Sequence, residues 1–138
     1  MIILDTNVIS ELMHVAPDPR VVSWMDRQRR TSIWITSITI FEVIYGLEIM
    51  VPGRKQVTLR SSFEALLNKL EDRIALFDQS AAQKAAGLMA SRQKKGRPRD
   101  LRDTMIAGIV LAKQAALATH NTSHFDDISA AIIDPWAA

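Results

Sequence analysis

Cysteine is missing from all 138 residues, which excludes disulfides, thiolate metal ligands and a cysteine nucleophile and makes a reducing cytoplasm the expected setting. No apolar run approaches the length of a membrane-spanning helix, and no basic segment precedes the first apolar stretch, so neither membrane insertion nor secretion is expected. Internal repeats and low-complexity linkers are lacking too. Aromatic residues make up only 6%. Trp24, Trp34 and Trp136 fall in an amphipathic helix, a strand and the terminal segment, where packing is expected before base stacking. Neither sign of charge dominates, with a net charge of +2. What is present is apolar: hydrophobic residues are 48% of the chain, enough at this length for one compact domain over residues 1–138 with a sizeable core.

The apolar residues are arranged as alternating strands and helices. Ile2, Ile3 and Leu4 read as a short buried strand, followed by a helix from Thr6 to Met13. "PDPRVVSWMDRQ" opens a second helix with Asp18 as cap and Pro19 at the first helical position. "SIWIT" has strand composition, and Ser37 is placed to cap a long helix running to about Met50, before Pro52 and Gly53. Lys55 to Leu70 predicts a further helix, "RIALF" a third strand, and Asp78 the cap of a helix that ends in a basic loop. Asp100 or Leu101 opens another helix to about Gln114. "AALAT" and "AAIID" supply the last two strands. This order predicts an α/β fold with a central parallel sheet of about five strands covered on both faces.

Three acids stand out against that frame. Asp5 directly ends the first strand, at the edge of the core, where an unpartnered carboxylate is costly. Glu42 lies in "ITSITIFEVIYGLEIM", a helix apolar almost all round: Ile38, Phe41, Tyr45 and Ile49 share one face and Ile40, Val43, Ile44 and Leu47 cover the other. Glu48, nearer the helix end, is the weaker candidate. Asp103 sits in the first turn of "LRDTMIAGIVLAK", ahead of an apolar stripe at Ile106, Val110 and Leu111 with small Ala107 and Gly108. A first-turn Asp by itself is an ordinary favourable helix-terminus charge. In a parallel sheet, though, strand carboxyl ends and the amino ends of following helices share one edge, where ligands bind at the reversal of strand order. A fourth segment, "LATHNTSHF", places small polar residues and two histidines at the end of a strand.

Together "LDTNVISE", the enclosed Glu42, "RDTMIAGIVLAK", "ATHNTSHF" and the closing "IIDPW" resemble the PIN domain, in particular toxin ribonucleases of the VapC type and the related FitB. The resemblance covers essentially the whole chain and implies a three-layer α/β/α architecture. It matches Asp5 to the first family acid, Glu42 to the second and Asp103 to the third. Thr6 and Asn7 match the polar residues that orient the first acid, with Ser10 nearby. The fourth family position, usually an acid, falls on Asn121 or, three residues on, His124. Neither is a carboxylate, so the resemblance implies a site with one fewer negative charge. It also implies RNA as substrate, cut to leave a 5′-phosphate and a 3′-hydroxyl, and a small VapB-like antitoxin whose C-terminal segment lies across the domain. DNA enters only indirectly, through that antitoxin.

The chemistry follows from the acids themselves. Carboxylates brought close together resist ionisation until a divalent cation relieves their repulsion. Oxygen-only ligands select a hard ion, Mg²⁺ or Mn²⁺, which commonly uses a few carboxylates plus phosphate oxygens and suits phosphodiester hydrolysis. The basic stretch "KKGRPRDLR" leads straight into Asp103, so Lys94, Lys95, Arg97, Arg99 and Arg102 are candidates for RNA phosphates as well as for an ordinary solvated loop. The leading expectation is a metal-dependent endoribonuclease toxin. The rival is a catalytically weak PIN-like subunit of a DNA-binding regulatory complex. The helix pair from Ser37 to Leu70 is apolar enough for an antitoxin groove or a homodimer face. His14 and His120 are expected to be solvated or capping, Asp126 and Asp127 to cap the segment after the fourth strand, and Glu11 to pair with an arginine.

Overall fold

The computed structural model describes residues 1–138. In chain order it comprises β1 (Ile2–Leu4), α1 (Thr6–Leu12), α2 (Pro19–Asp26), β2 (Ile33–Thr36), α3 (Ser37–Ile49), α4 (Arg54–Leu70), β3 (Ile74–Ala75), α5 (Gln79–Lys94), α6 (Leu101–Lys113), β4 (Ala116–Ala118) and β5 (Ile132–Ile133). Two 3₁₀ turns, Arg30–Ser32 and Thr122–Phe125, precede β2 and β5. The five strands form one sheet in the order β3-β2-β1-β4-β5, and every neighbouring pair is parallel.

The two-residue period of a strand divides the core into two layers. Leu4, Ile33, Ile35 and Ala118 point into one, with Val8, Val43, Leu47 and Phe63 from α1, α3 and α4. Ile3 and Leu117 point into the other, with Ala81 of α5 and Ile106, Ile109 and Val110 of α6. The expected three-layer α/β/α arrangement is therefore present. On the second face α5 and α6 meet through small residues. A Cβ built on Gly108 would lie 2.6 Å from the Ala81 carbonyl oxygen and 2.7 Å from the Ala85 Cβ.

Boundaries differ from the sequence expectation where strands lie at the sheet edge. The "RIALF" strand contributes only Ile74 and Ala75 to the ladder, because β3 has a partner on one side alone. "AAIID" likewise shortens to Ile132–Ile133 on the opposite edge. The cap of α3 is Thr36, not Ser37. The Thr36 hydroxyl accepts the Thr39 amide at 3.0 Å, which satisfies an otherwise free N–H of the first turn. Ser37 is already helical, and its Oγ accepts the Phe77 amide at 3.0 Å instead. In α3, Thr39, Val43 and Leu47 are buried, whereas Phe41, Ile44, Tyr45 and Ile49 are exposed. Ile44 therefore belongs to the open face, not the covered one. No helix is long and apolar enough to cross a membrane.

Candidate active site

The chain builds outward from β1 to β2 and β3, then returns to place β4 on the other side of β1. That reversal opens a crevice at the carboxyl ends of β1 and β4, and Asp5 and Thr119 are the residues that follow those strands. The Asp5 amide donates to the Ala118 carbonyl at 2.9 Å, joining the two strand ends. The Asp5 side chain then caps α1, accepting the Thr6 amide at 2.8 Å on Oδ1. Its Oδ2 accepts the Thr119 hydroxyl at 2.7 Å and faces Asn7 Nδ2 at 3.4 Å.

Asp5 is only 3% exposed. Its carboxyl is pushed up from 3.8 to about 6: burial raises it most, the hydrogen bonds from Thr119 and Thr6 hold it down in part, and the charges of Asp103 and Glu42 raise it further. The second and third acids thus add their charge to the field at the first. Glu42 comes from α3, and its Oε1 accepts the Thr6 hydroxyl at 2.7 Å; its Oε2 lies 3.7 Å from Arg102 Nε. Thr6 also meets the Thr39 hydroxyl at 3.0 Å, so a chain of hydroxyls ties α1 to α3. Asp103 stands in the first turn of α6, with its Oδ2 3.0 Å from His124 Nδ1.

These groups line an open cleft of about 470 Å³ with Asn7, Ser10 and Asn121, and with Glu11, His14, His120 and Trp136. Asn121 reaches the cleft although its backbone amide is held by Thr119 Oγ1 at 3.0 Å. His124 touches Asp103 and is not a wall of the cleft. The two candidates for the fourth family position therefore divide: Asn121 faces the cleft and His124 supports the third acid.

Several side chains have partners other than those expected. Glu11 accepts the Asp18 amide at 3.0 Å and pairs with His14 at 3.3 Å, so it adds a further carboxylate to the cleft wall without an arginine. His120 lies 3.3 Å from Asp134 and tilts over Trp136 with ring centroids 4.3 Å apart. Trp136 packs against the core, as expected, and forms part of the cleft as well. Asp126 stands at the C-cap of the Thr122–Phe125 turn, and the side chains of Asp126 and Asp127 receive Arg99 and Arg92 respectively. Among the basic residues, Lys94, Lys95 and Arg97 are exposed. Arg99 instead donates to the Ser123 carbonyl at 2.6 Å and to Asp126 at 2.9 Å.

Sequence reasoning missed Thr119, Thr39 and Arg92, all buried. The only hint of Thr119 was its place at the end of a strand beside polar residues.

The donor chemistry fits a hard divalent cation. The candidate ligands are all carboxylate oxygens, and the buried Asp5 carries two like charges in its field, which a cation would relieve. The positions are not fully gathered: no group of three acidic or imidazole side chains is arranged to hold an ion outright, since Glu42 turns to Thr6 and Asp103 to His124.

A parallel α/β/α domain with acids from three elements at its strand-order reversal defines a class of α/β domain with an acidic cleft at the sheet's carboxyl edge. Comparison with known proteins makes the class specific. The family model described as PIN domain matches residues 2–131, and the chain belongs to that family. It is 36% identical to the VapC ribonuclease Y4jK of Sinorhizobium fredii over 99% of this chain and 98% of that protein. It is 31% identical to toxin FitB of Neisseria gonorrhoeae over 99% of both. Among solved structures, a chain of FitAB bound to an IR36 DNA fragment superimposes with a TM-score of 0.89 at 31% identity, covering 99% of this chain and 96% of that one.

Proposed function

We propose that this protein is an Mg²⁺- or Mn²⁺-dependent endoribonuclease, the toxin of a toxin–antitoxin pair. The observation that carries the reading is Asp5: buried at the junction of β1 and β4, held by Thr119 and Thr6, and under the charge of Glu42 and Asp103. Asp5, Glu42 and Asp103 would hold the metal. When bound, the ion supplies activation of the attacking water and neutralisation of charge developing on the phosphate. The protein's own groups set the stage. Thr119 and Asn7 orient Asp5, Thr6 orients Glu42, and His124 orients Asp103. Asn121 offers the cleft a neutral carbonyl and amide in place of a fourth charge, and Ser10 adds a hydroxyl at the rim. Lys94, Lys95 and Arg97, free of acidic partners, are the cations available to flanking RNA phosphates; Arg102 reaches the same cleft through Glu42.

The relatives named as ribonuclease and toxin support this assignment, and the likeness to FitAB on DNA supports an antitoxin partner that carries the DNA contact. A second groove, about 500 Å³ and more apolar, continues from the acidic cleft along Val43, Leu47, Met50 and Leu59, which suits an antitoxin segment with an apolar side. The open α3 face of Phe41, Ile44, Tyr45 and Ile49 suits pairing of two copies.

The test is cleavage of total RNA by the purified protein with Mg²⁺, with Mn²⁺ and with a chelator, beside Asp5→Asn. The parent should cut only with metal, and Asp5→Asn should fold and not cut. A folded parent that leaves RNA intact under every metal condition would favour the other reading, a catalytically weak subunit of the DNA-binding complex, for which the absence of a carboxylate at Asn121 speaks.

A further inference from the structure

Arg92 is the only arginine among the buried residues, at 2% exposure, and nothing in the chemistry above uses it. It leaves the last turn of α5 and makes four hydrogen bonds. Nε donates to Asp127 Oδ2 and Nη2 to Asp127 Oδ1, each at 2.8 Å. Nη2 also donates to the His124 carbonyl at 3.2 Å, and Nη1 donates to the Thr104 hydroxyl at 2.9 Å. That hydroxyl in turn donates a hydrogen bond to the Asp100 carbonyl at 2.9 Å. Asp100 is the cap of α6, and its carboxylate accepts the amides of Arg102 and Asp103. One guanidinium therefore joins the segment that carries His124 to the helix turn that carries Asp103, the two groups that meet at 3.0 Å on the cleft edge.

Arg92 is buried but Asp127 is exposed, so the pair takes a guanidinium out of water for a carboxylate that water still screens, a weak way to hold a fold together. A guanidinium fork supplies direction instead: its planar N–H groups accept partners only in fixed places. Here those places are Asp127, the His124 backbone and Thr104, all on the two segments flanking the third acid. The Asp127 carboxyl is held below its ordinary range chiefly by its hydrogen bond to Arg92, as a committed pair would be.

We propose that Arg92 is a positioning residue that locks the 124–127 segment to the first turn of α6 and thereby sets where Asp103 stands in the cleft. Its catalytic consequence rests on the nuclease reading above; the placement itself does not.

The double variant Arg92→Met/Asp127→Leu removes both charges at once and strands neither. Thermal unfolding should show one cooperative transition. Hydrogen exchange followed by mass spectrometry should show the amides of residues 101–104 and 122–127 opening about tenfold faster than in the parent, with β1 and β4 unchanged. With Mn²⁺ the kcat for RNA cleavage should fall about tenfold or more while KM stays within about twofold. Arg92→Lys keeps the charge and most of the stem but loses the fork, and should reproduce both effects if the double variant does not fold. Parent-like exchange and parent-like kcat in a folded variant would overturn the proposal. A parent that does not cleave RNA ends the nuclease reading alone, and the exchange comparison then decides the positioning role without it.

Discussion

Asp5 is a charge placed where little water reaches it, and that has a measurable cost in the absence of metal. Its folded carboxyl titrates near 6 against an ordinary 3.8, so the folded state binds the proton more tightly than the unfolded state does. The sign follows: this group's favourable contribution is complete below about pH 4 and is lost as pH rises through about 6. With a chelator present, Asp5→Asn should therefore be the more stable protein at pH 8, by about 3 kcal/mol, an advantage that vanishes as pH falls toward 4. Urea titrations at several pH values measure it. Adding Mn²⁺ should reverse the order at pH 8, because the ion stabilises only the chain that binds it. Thr119 is the companion case. Its hydroxyl donates to Asp5 and accepts Asn7 Nδ2 and the Asn121 amide, so Thr119→Val should weaken Mn²⁺ binding about tenfold in a calorimetric titration, the usual scale for a lost supporting bond.

At the scale of elements, the meeting of α5 and α6 is the tightest constraint. An alanine ordinarily improves a helix over glycine by up to about 1 kcal/mol. At Gly108 the added methyl would meet the Ala81 carbonyl at 2.6 Å, a backbone atom that cannot swing aside. Overpacking should win, and Gly108→Ala should lower stability by about 1–3 kcal/mol in urea unfolding. This is also where the legibility of the sequence divides. The order of strands and helices, the caps Asp18 and Asp78, and the small residues of α6 could all be read directly, because they follow from local period and local hydrogen bonding. Asp5, Glu42 and Asp103 were readable as candidates because each acid sat against an apolar pattern. Thr119 and Arg92 were not readable. A threonine after a strand and an arginine in a basic helix end look like many others, and their roles arise from partners 114 and 35 positions away. Ser37 and Thr36 are both good caps on paper; only the backbone bend after β2 distinguishes them. Edge strands shortened because a ladder with one neighbour ends sooner than its composition suggests.

For the whole molecule, the open face of α3 is an apolar surface turned outward: Phe41 and Tyr45 stack in parallel with centroids 6.2 Å apart, and both are exposed together with Ile44 and Ile49. Single exposed apolar residues are ordinary on a surface, whereas a contiguous patch marks an interface. If two copies pair there, Tyr45→Glu should convert the protein to monomer in sedimentation velocity while leaving its thermal transition in place, because the residue is outside the core.

The central place of β1 has a further consequence for how the molecule comes into being. Asp5 lies 114 positions before the hydroxyl that holds it, and β1 is as far removed in the chain from β4, the strand beside it. A nascent chain therefore carries β1 through the synthesis of the intervening helices without the neighbour that completes the floor of the cleft. The acidic floor is therefore closed by a contact of high sequence separation, and it should form after the local helices that surround it.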